Sequence, residues 1–245
     1  MKKALITGAN KSIGFEAARQ LLQRGYYVYL GSRDAQKGQQ AVEQLHATGY
    51  PQVELLQLDV ADKASVAAAR EALGRKTDVL DVLINNAGIS GGMPQPALTT
   101  SVSVIKEVYE TNVFGVIEVT QAFIDLLQKS PEPRIVNVTS GLGSLTLHTD
   151  PSWKYYPVKG AAYAPSKAAL NAYTIMLAYE LRDTAFKVNA VDPGYTATDF
   201  NHHSGPGSVS DAAARLVRAA TLGPDGPTSQ FFSDDNAPET GISPW

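Results

Sequence analysis

The 245-residue sequence contains no cysteine, and this absence excludes disulfide bonds, thiolate metal sites and a cysteine nucleophile. The chain also has no excess of positive charge, because 21 Lys and Arg are outnumbered by 24 Asp and Glu, for a net charge of −3. Domains that bind nucleic acid are typically basic, so we expect no nucleic-acid partner. His202 and His203 are adjacent, which suits chelation poorly, so we expect no metal.

Long apolar runs are absent too. No stretch approaches the roughly 18–20 apolar residues of a membrane span, so we expect no membrane association. At the N-terminus only residues 4–6 are apolar before Thr7, which is too short for a signal peptide, and we therefore expect a cytoplasmic protein. Hydrophobic residues nevertheless make up 44% of the chain, which excludes a disordered protein and is enough for one sizeable core.

Short apolar runs alternate with longer helical periods along the chain. Strands are predicted at residues 4–7, 26–30, 53–58, 79–85, 134–139, 187–191 and 230–232. Helices are predicted at residues 13–24, 34–48, 63–73, 102–128, 163–182 and 212–221. This alternation indicates parallel βαβ units, and the continuous apolar strands indicate a sheet covered on both sides. We predict a single α/β domain over residues 1–245, a Rossmann fold with a doubly wound parallel sheet and helices on both faces.

The first strand-to-helix turn reads Thr-Gly-Ala-Asn-Lys-Ser-Ile-Gly over residues 7–14. Gly8 permits the tight turn, Gly14 lets helix and strand pack closely, and backbone N–H groups can hold a pyrophosphate. Strand-to-helix turns often carry glycine without a ligand, but this context is the one that a dinucleotide fingerprint requires. The predicted cofactor contacts here are Gly8, Asn10, Lys11, Ser12, Ile13 and Gly14.

The end of the second strand bears on the choice between two cofactors. In an NAD site an acidic residue at this place binds the ribose hydroxyls. Here residues 30–34 read Leu-Gly-Ser-Arg-Asp, and Arg33 can fork onto a 2′-phosphate that Lys11 can also reach. Each cation alone fits a solvated surface equally well, but the two together favour NADPH/NADP+ over NADH. If Asp34 rather than Arg33 faced the ribose, NAD would be preferred.

Several short motifs follow the glycine loop in order. They are Asp59-Val60, then Asn-Asn-Ala-Gly at residues 85–88, then Asp-Pro-Gly at residues 192–194 with Thr198. Together with Thr7, Gly8 and Gly14 they resemble the short-chain dehydrogenase/reductase family over essentially the whole chain, although Ser12 replaces the middle glycine of the family's Thr-Gly-x-x-x-Gly-x-Gly motif. The resemblance implies cofactor contacts from Asp59, Val60, Asn86, Ala87, Gly88, Tyr163, Lys167, Pro193, Gly194, Thr196 and Thr198.

Tyr163 and Lys167 are four residues apart in a predicted helix and therefore share one face. A nearby ammonium stabilises phenolate, so we expect Lys167 to lower the pKa of Tyr163. Such a pair is common on surfaces, and it is the surrounding motifs that favour an active site. The family resemblance implies that Tyr163 donates a proton to the substrate oxygen, Ser140 orients that oxygen, Lys167 also holds the nicotinamide ribose, and Asn112 fixes a water of a proton relay.

Ser140 and Tyr163 are separated by 23 residues, more than in many members of the family. We expect this insertion, about residues 141–160, and a loop at about residues 195–210 to form the substrate site. The predicted substrate contacts are Ser140, Trp153, Tyr156, Tyr163 and Tyr195. Alternatively, the insertion is only surface packing or an oligomer contact. The chain most resembles the carbonyl reductase branch, through the Asn-Lys of the glycine loop, the Ser-Arg-Asp after the second strand, this insertion and the terminal Pro244-Trp245. The insertion is shorter than in monomeric members of that branch, which leaves a homodimer or homotetramer open.

These features predict an NADPH-dependent reductase that transfers hydride to a ketone or aldehyde, with Tyr163 as general acid and a small-molecule carbonyl compound as substrate. An NAD(P)-dependent alcohol or sugar dehydrogenase working in the oxidative direction would have the same site. A non-catalytic dinucleotide-sensing regulator is the alternative from another class, but it would not need Ser140, Tyr163 and Lys167 together.

Overall fold

A computed structural model of the chain describes residues 1–245 and contains one seven-stranded parallel sheet. The strands are β1 (Lys3–Ile6), β2 (Tyr27–Ser32), β3 (Val53–Gln57), β4 (Val82–Asn85), β5 (Arg134–Val138), β6 (Lys187–Val191) and β7 (Phe231–Phe232). Their order is β3-β2-β1-β4-β5-β6-β7, and every neighbouring pair is parallel. The predicted doubly wound α/β fold is therefore confirmed, and the order reverses direction beside β1, where ligands bind in such sheets.

Eight α-helices accompany the strands. They are α1 (Ser12–Gln23), α2 (Ala35–Ala47), α3 (Lys63–Gly74), α4 (Val102–Tyr109), α5 (Gly115–Leu127), α6 (Leu145–His148), α7 (Tyr163–Glu180) and α8 (Val209–Ala220). Short 3₁₀ turns lie at Gly141–Gly143 and Asp199–Asn201. None of the helices combines the length and the apolar character that a membrane-spanning segment needs.

The helices cover both faces of the sheet, and each face has its own apolar core. On one face Leu21, Leu45 and Leu216 bring α1, α2 and α8 against the strands. On the other face Leu73 and Phe123 bring α3 and α5 against them. Because both faces are buried, the strands are continuous apolar runs, and their polar ends are left at the carboxyl edge of the sheet.

The long helix predicted for residues 102–128 is interrupted. Its middle, Glu110–Phe114, is a π-helical turn between α4 and α5. Such a bulge adds one residue to the turn and reorients the side chains on it, and bulges of this kind are frequent at functional sites. Apolar periodicity continues through the bulge, so the sequence pattern did not reveal it.

The region predicted to be irregular between residues 141 and 160 also contains structure. Ser144 caps the single turn of α6 by accepting a hydrogen bond from the Leu147 amide at 3.2 Å. The carbonyl of Trp245 accepts hydrogen bonds from the Thr146 amide and hydroxyl, at 3.1 and 2.8 Å. A helix of four residues is too short to give a periodic signal, so it could not be predicted from the sequence.

Candidate active site

The predicted site residues come together because the loops after β1, β4, β5 and β6 all leave the same edge of the parallel sheet. Asn86 joins the first two loops: its Nδ2 donates to the carbonyls of Thr7 and Gly8 at 2.9 and 3.1 Å. In return, the Thr7 hydroxyl accepts from the amides of Asn86 and Ala87 at 3.0 and 2.9 Å. These bonds fix the glycine loop against the end of β4.

The glycine loop needs its two matched glycines for steric reasons. Gly8 has a φ of +63°, which favours glycine. A Cβ on Gly14 would lie 2.5 Å from Asn86 Nδ2 and 2.9 Å from the Gly8 carbonyl, so only glycine permits this approach of α1. Ser12, which stands where the family has glycine, also has a left-handed φ of +55°. The backbone therefore keeps the conformation of a glycine there, at the cost of strain.

The N-terminus of α1 carries no side-chain cap and no acidic residue in its first turn. By contrast, α2 begins with Asp34, whose carboxylate accepts from the Lys37 amide at 3.0 Å. The exposed N–H groups of α1 are therefore free to bind an anionic group, as helix N-termini commonly do.

The two cations predicted near the ribose differ in their surroundings. Arg33 is exposed and forms no ion pair. Lys11 Nζ lies 2.8 Å from Asp199 Oδ2, in the loop that follows β6. Asp199 also contacts His203 Nε2 at 2.9 Å. The glycine loop is thus tied to the predicted substrate loop by an exposed ion pair.

Ser140 directly follows β5, and its hydroxyl accepts from the Leu142 amide at 3.2 Å. The neighbouring Thr139 points elsewhere: it is buried and its hydroxyl donates to the carbonyl of Lys167 at 3.3 Å. Because successive side chains of a strand point to opposite faces, the two hydroxyls are separated. Ser140 is the one beside Tyr163, whose pKa it influences.

Tyr163 begins α7, and Lys167 follows one turn later. Lys167 is 4% exposed, and its ammonium donates to the Val138 carbonyl at 2.9 Å and lies 5.8 Å from the centre of the Tyr163 ring. Burial lowers the pKa of Lys167 to about 8. Burial raises the pKa of Tyr163 well above its usual value, and the hydroxyl of Ser140 opposes only part of this rise.

The expected lowering of the Tyr163 pKa by Lys167 is therefore wrong for this structure. Removing the phenolate from water outweighs any stabilisation by the ammonium, which is engaged with a carbonyl and not with the phenol oxygen. A phenol with its ordinary pKa is also protonated at neutral pH, so burial leaves Tyr163 in the protonated form that a proton donor needs.

Asn112 lies in the π-helical turn, fully buried. Its Oδ1 accepts from the Ile89 amide and its Nδ2 donates to the Ile89 carbonyl, both at 2.9 Å. Nδ2 also donates to Ser166 Oγ at 3.0 Å, and Ser166 donates to the Tyr163 carbonyl at 2.7 Å. A Cβ on Gly88 would lie 3.2 Å from Asn112 Oδ1 and 3.5 Å from Lys167 Nζ, so these side chains adjoin.

The loop after β6 is held by a buried carboxylate. Asp192 accepts from the Gly194 amide at 2.9 Å and from the Ser233 hydroxyl at 2.6 Å, and burial raises its pKa. Thr196, also buried, donates to the carbonyls of Pro193 and Gly194. These contacts fix residues 193–198, the segment in which the family resemblance implies several cofactor contacts.

Of the remaining predicted cofactor residues, Asp59 and Val60 lie together just after β3, where Asp59 accepts from the Ala61 amide at 3.1 Å. Asn10 and Ile13 are half-buried at the two sides of Lys11. No group of three or more His, Asp or Glu side chains is placed to hold a metal ion.

The aromatic residues of the insertion form a packed cluster. Trp153 is 8% exposed, its indole N–H donates to Asn236 Oδ1 at 3.3 Å, and its ring packs edge-on against Tyr155 at 5.5 Å. Tyr155 in turn meets the ring of Tyr195 at 6.5 Å. Tyr156 is half-buried beneath the ammonium of Lys159. Trp153 thus acts through packing, whereas Tyr195 is exposed on the loop after β6.

Sequence reasoning missed Phe200, the aromatic residue that lies next to Tyr163. Its ring centre is 5.5 Å from that of Tyr163, and 44% of the residue is exposed. Phe200 is in the short 3₁₀ turn of the loop predicted to form part of the substrate site, so its region was predicted but its contact with Tyr163 was not. Ser166 was missed for a similar reason, since only the fold brings it onto Asn112.

Comparison with known proteins identifies the family. The sequence profile of the short chain dehydrogenases matches residues 2–208. The (+)-neomenthol dehydrogenase of Capsicum annuum is 35% identical, over 94% of each chain. The (−)-isopiperitenone reductase of Mentha piperita is also 35% identical, over 96% of each chain. The chain belongs to the short-chain dehydrogenase/reductase family.

Solved structures agree. Salutaridine reductase from Papaver somniferum superposes with a TM-score of 0.83 at 32% identity, covering 96% of this chain and all of that one. An NADPH-bound carbonyl reductase from chicken fatty liver superposes with a TM-score of 0.85 at 26% identity, covering 100% of this chain and 99% of that one. The chain is therefore an oxidoreductase of this family, with relatives that are reductases, and a nicotinamide dinucleotide is its cofactor.

Proposed function

We propose that this protein is an NADPH-dependent reductase of ketones or aldehydes in which Tyr163 is the general acid. The observation that carries the proposal is the placement of Tyr163: it lies beside Ser140, and the buried ammonium of Lys167, one helix turn later, is 5.8 Å from the centre of its ring. When bound, the reduced nicotinamide supplies the hydride. Tyr163 gives its proton to the resulting alkoxide, and Ser140 binds the same oxygen and orients it.

The residues around the glycine loop fit a dinucleotide with a 2′-phosphate. The uncapped N-terminus of α1 supports binding of the pyrophosphate. Asp34 is engaged as the cap of α2, which removes the carboxylate that would favour NAD, and Arg33 is exposed without an ion-pair partner. Lys11 can join Arg33 at the phosphate only by sharing or leaving Asp199. The remaining proposed cofactor contacts are Gly8, Asn10, Ser12, Ile13, Gly14, Asp59, Val60, Asn86, Ala87, Gly88, Lys167, Pro193, Gly194, Thr196 and Thr198.

The substrate is proposed to be a ketone that carries an apolar ring. The phenol of Tyr163 is flanked by Phe200, and the exposed Tyr195 lies on the same loop. Aromatic rings of this kind bury a large apolar area and prefer ring-shaped partners. Trp153 packs behind Tyr195 through the ring of Tyr155. Trp153 and Tyr156 of the insertion remain proposed substrate contacts. Relatives named as a (+)-neomenthol dehydrogenase and a (−)-isopiperitenone reductase are consistent with such a substrate.

For assembly and location, we propose a homodimer or homotetramer in the cytoplasm. Phe114, Met176 and Tyr179 remain exposed on the π-helical turn and on α7. Exposed large apolar side chains of this kind are frequent at contacts between protein chains.

The proposal is tested by the rate of NADPH and NADH oxidation with a panel of cyclic, aryl and short aliphatic ketones. We expect turnover with NADPH and a clear preference for it over NADH. Arg33→Asp should raise KM for NADPH by at least about tenfold, the loss of one charge-assisted contact, and leave KM for NADH unchanged or lower.

Lys37→Asp is the matched control, because Lys37 is an exposed cation that pairs with Asp34 near the same loop. It should change the NADPH preference far less than Arg33→Asp. Oxidation of alcohols with NAD+ as the only efficient reaction would contradict the proposal and favour the oxidative dehydrogenase instead.

A further inference from the structure

The helix that carries Tyr163 and Lys167 lacks a cap of its own. Ala162 stands at the N-cap position of α7 and has no side chain that could accept a hydrogen bond. Helices leave their first N–H groups without partners inside the helix, and here Pro165 removes one of those donors. The amides of Ala162 and Tyr163 must therefore find an acceptor elsewhere.

That acceptor is Gln95, which lies 68 residues before Tyr163 in the loop after β4. Gln95 Oε1 accepts from the Tyr163 amide at 3.0 Å and from the Ala162 amide at 3.2 Å. The main-chain carbonyl of Gln95 also accepts from the Ala161 amide at 3.0 Å. Gln95 thus accepts the hydrogen bonds of three successive backbone amides at the N-terminus of α7, although it belongs to a different segment of the chain.

The other end of the Gln95 amide holds its own loop. Nε2 donates to the carbonyls of Ser90 and Gly92 at 2.6 and 2.7 Å. Gln95 is only 3% exposed, and every hydrogen-bonding position of its amide is directed to main chain. The orientation of the amide is therefore fixed, because a flipped amide would set its oxygen against two carbonyls.

The backbone of Tyr163 is consequently held by hydrogen bonds on both sides of its α-carbon. Its amide is bound by Gln95, and its carbonyl is bound by Ser166, which Asn112 holds. Asn112 in turn hydrogen-bonds both the amide and the carbonyl of Ile89, near the start of the loop that contains Gln95. The loop after β4 and the first turn of α7 thus form one hydrogen-bonded unit around the phenol.

We infer that Gln95 is a positioning residue for Tyr163, which sets the place of the proton donor by fixing the main chain on which it stands. The inference rests on the proposed role of Tyr163 as general acid. A displacement of about 1 Å at a reacting group can lower the rate by about 100-fold. Losing the hydrogen bond from the Tyr163 amide to Gln95 should therefore reduce kcat more than it weakens binding of the ketone.

The test is a double-mutant cycle with Gln95→Met, which keeps the length of the side chain but none of its hydrogen bonds, and Tyr163→Phe. Turnover of a cyclic ketone is measured at saturating NADPH and expressed per NADPH-binding site, so that unfolded protein does not count. We expect Gln95→Met alone to lower kcat by about 10- to 100-fold with KM for the ketone changed by less than about threefold. In the Tyr163→Phe background the same change should lower the residual rate by less than about threefold, because the donor it positions is already absent.

The inference would be overturned if Gln95→Met lowered kcat by the same factor in the wild type and in Tyr163→Phe, or if Gln95→Met alone left kcat unchanged. Either result would leave Tyr163 as the acid. Wild-type turnover by Tyr163→Phe would remove the proposed acid, and the inference with it. Thr100→Val is the control, since Thr100 bonds within the same loop and not to α7, and its kcat should be unchanged. If Gln95→Met does not fold, Gln95→Asn replaces it: the shorter amide cannot span both segments, and the same two factors are expected.

Discussion

At the scale of single residues, the site depends on side chains that hold main chain in place. Asn86 fastens the glycine loop to β4, and Asp192 fastens the loop after β6. Gln95 and Ser166 hold the amide and the carbonyl of Tyr163. Buried polar groups of this kind are costly unless every hydrogen bond is made, and where all are made they fix the reacting groups in one arrangement.

Ser12 is the residue where this chain departs from its family, and it carries a strained backbone. We predict that Ser12→Gly raises the free energy of unfolding by about 1 kcal/mol, since glycine adopts a φ of +55° without the clash of a Cβ. Urea denaturation measures it. Gln40→Gly is the control, because Gln40 is exposed in the middle of α2 and glycine destabilises a helix interior. A loss of stability in Ser12→Gly would show that the serine side chain makes a compensating contact.

The residues proposed to react are easier to recognise in the sequence than the residues that position them. Ser140, Tyr163 and Lys167 stand in short motifs whose spacing is visible along the chain. Gln95 and Phe200 have no such signal, because their partners are brought to them only by the fold. The direction of the Tyr163 pKa was also missed, since it depends on how deeply the phenol is buried rather than on the spacing to Lys167.

At the scale of elements, the loop after β6 is built as a cover over Tyr163. Asn201 Nδ2 donates to the Thr196 carbonyl and its Oδ1 accepts from the Thr198 amide, at 2.8 and 3.1 Å, which closes the turn that presents Phe200. Lys11 ties the same turn to the glycine loop through Asp199. Sequence patterns predict short irregular turns poorly. Two such turns carry site residues here: the π-helical turn carries Asn112, and the 3₁₀ turn carries Phe200.

We predict that Phe200→Ala raises KM for cyclic ketones by about tenfold, equivalent to about 1.4 kcal/mol of lost apolar contact. KM for a short aliphatic ketone should change by less than about threefold, because such a substrate cannot reach the ring. Steady-state kinetics over both substrates measures the difference. Phe200→Leu keeps an apolar side chain, so its KM for cyclic ketones should lie between those of the wild type and Phe200→Ala. Equal effects of Phe200→Ala on both ketones would show that Phe200 shapes the loop and does not contact the substrate.

At the scale of the whole molecule, one parallel sheet brings its carboxyl-edge loops together, and we propose that the insertion and the loop after β6 form the substrate side. The C-terminal segment closes this side, since Asn236 contacts both Trp153 and the Gly141 carbonyl, and Trp245 stacks on Phe231. Binding of a dinucleotide across these loops should stabilise the entire fold, because a ligand that binds only the native state raises its stability.

The central claim is that Tyr163 donates the proton in an NADPH-dependent reduction. The most direct measurement is turnover of a cyclic ketone by Tyr163→Phe, together with the rise in melting temperature that NADPH produces. We predict the wild-type rise in melting temperature with turnover reduced at least about 100-fold, the typical contribution of a positioned acid. Tyr179→Phe, an exposed change on the same helix, should retain wild-type turnover. Undiminished reduction by Tyr163→Phe would contradict the claim.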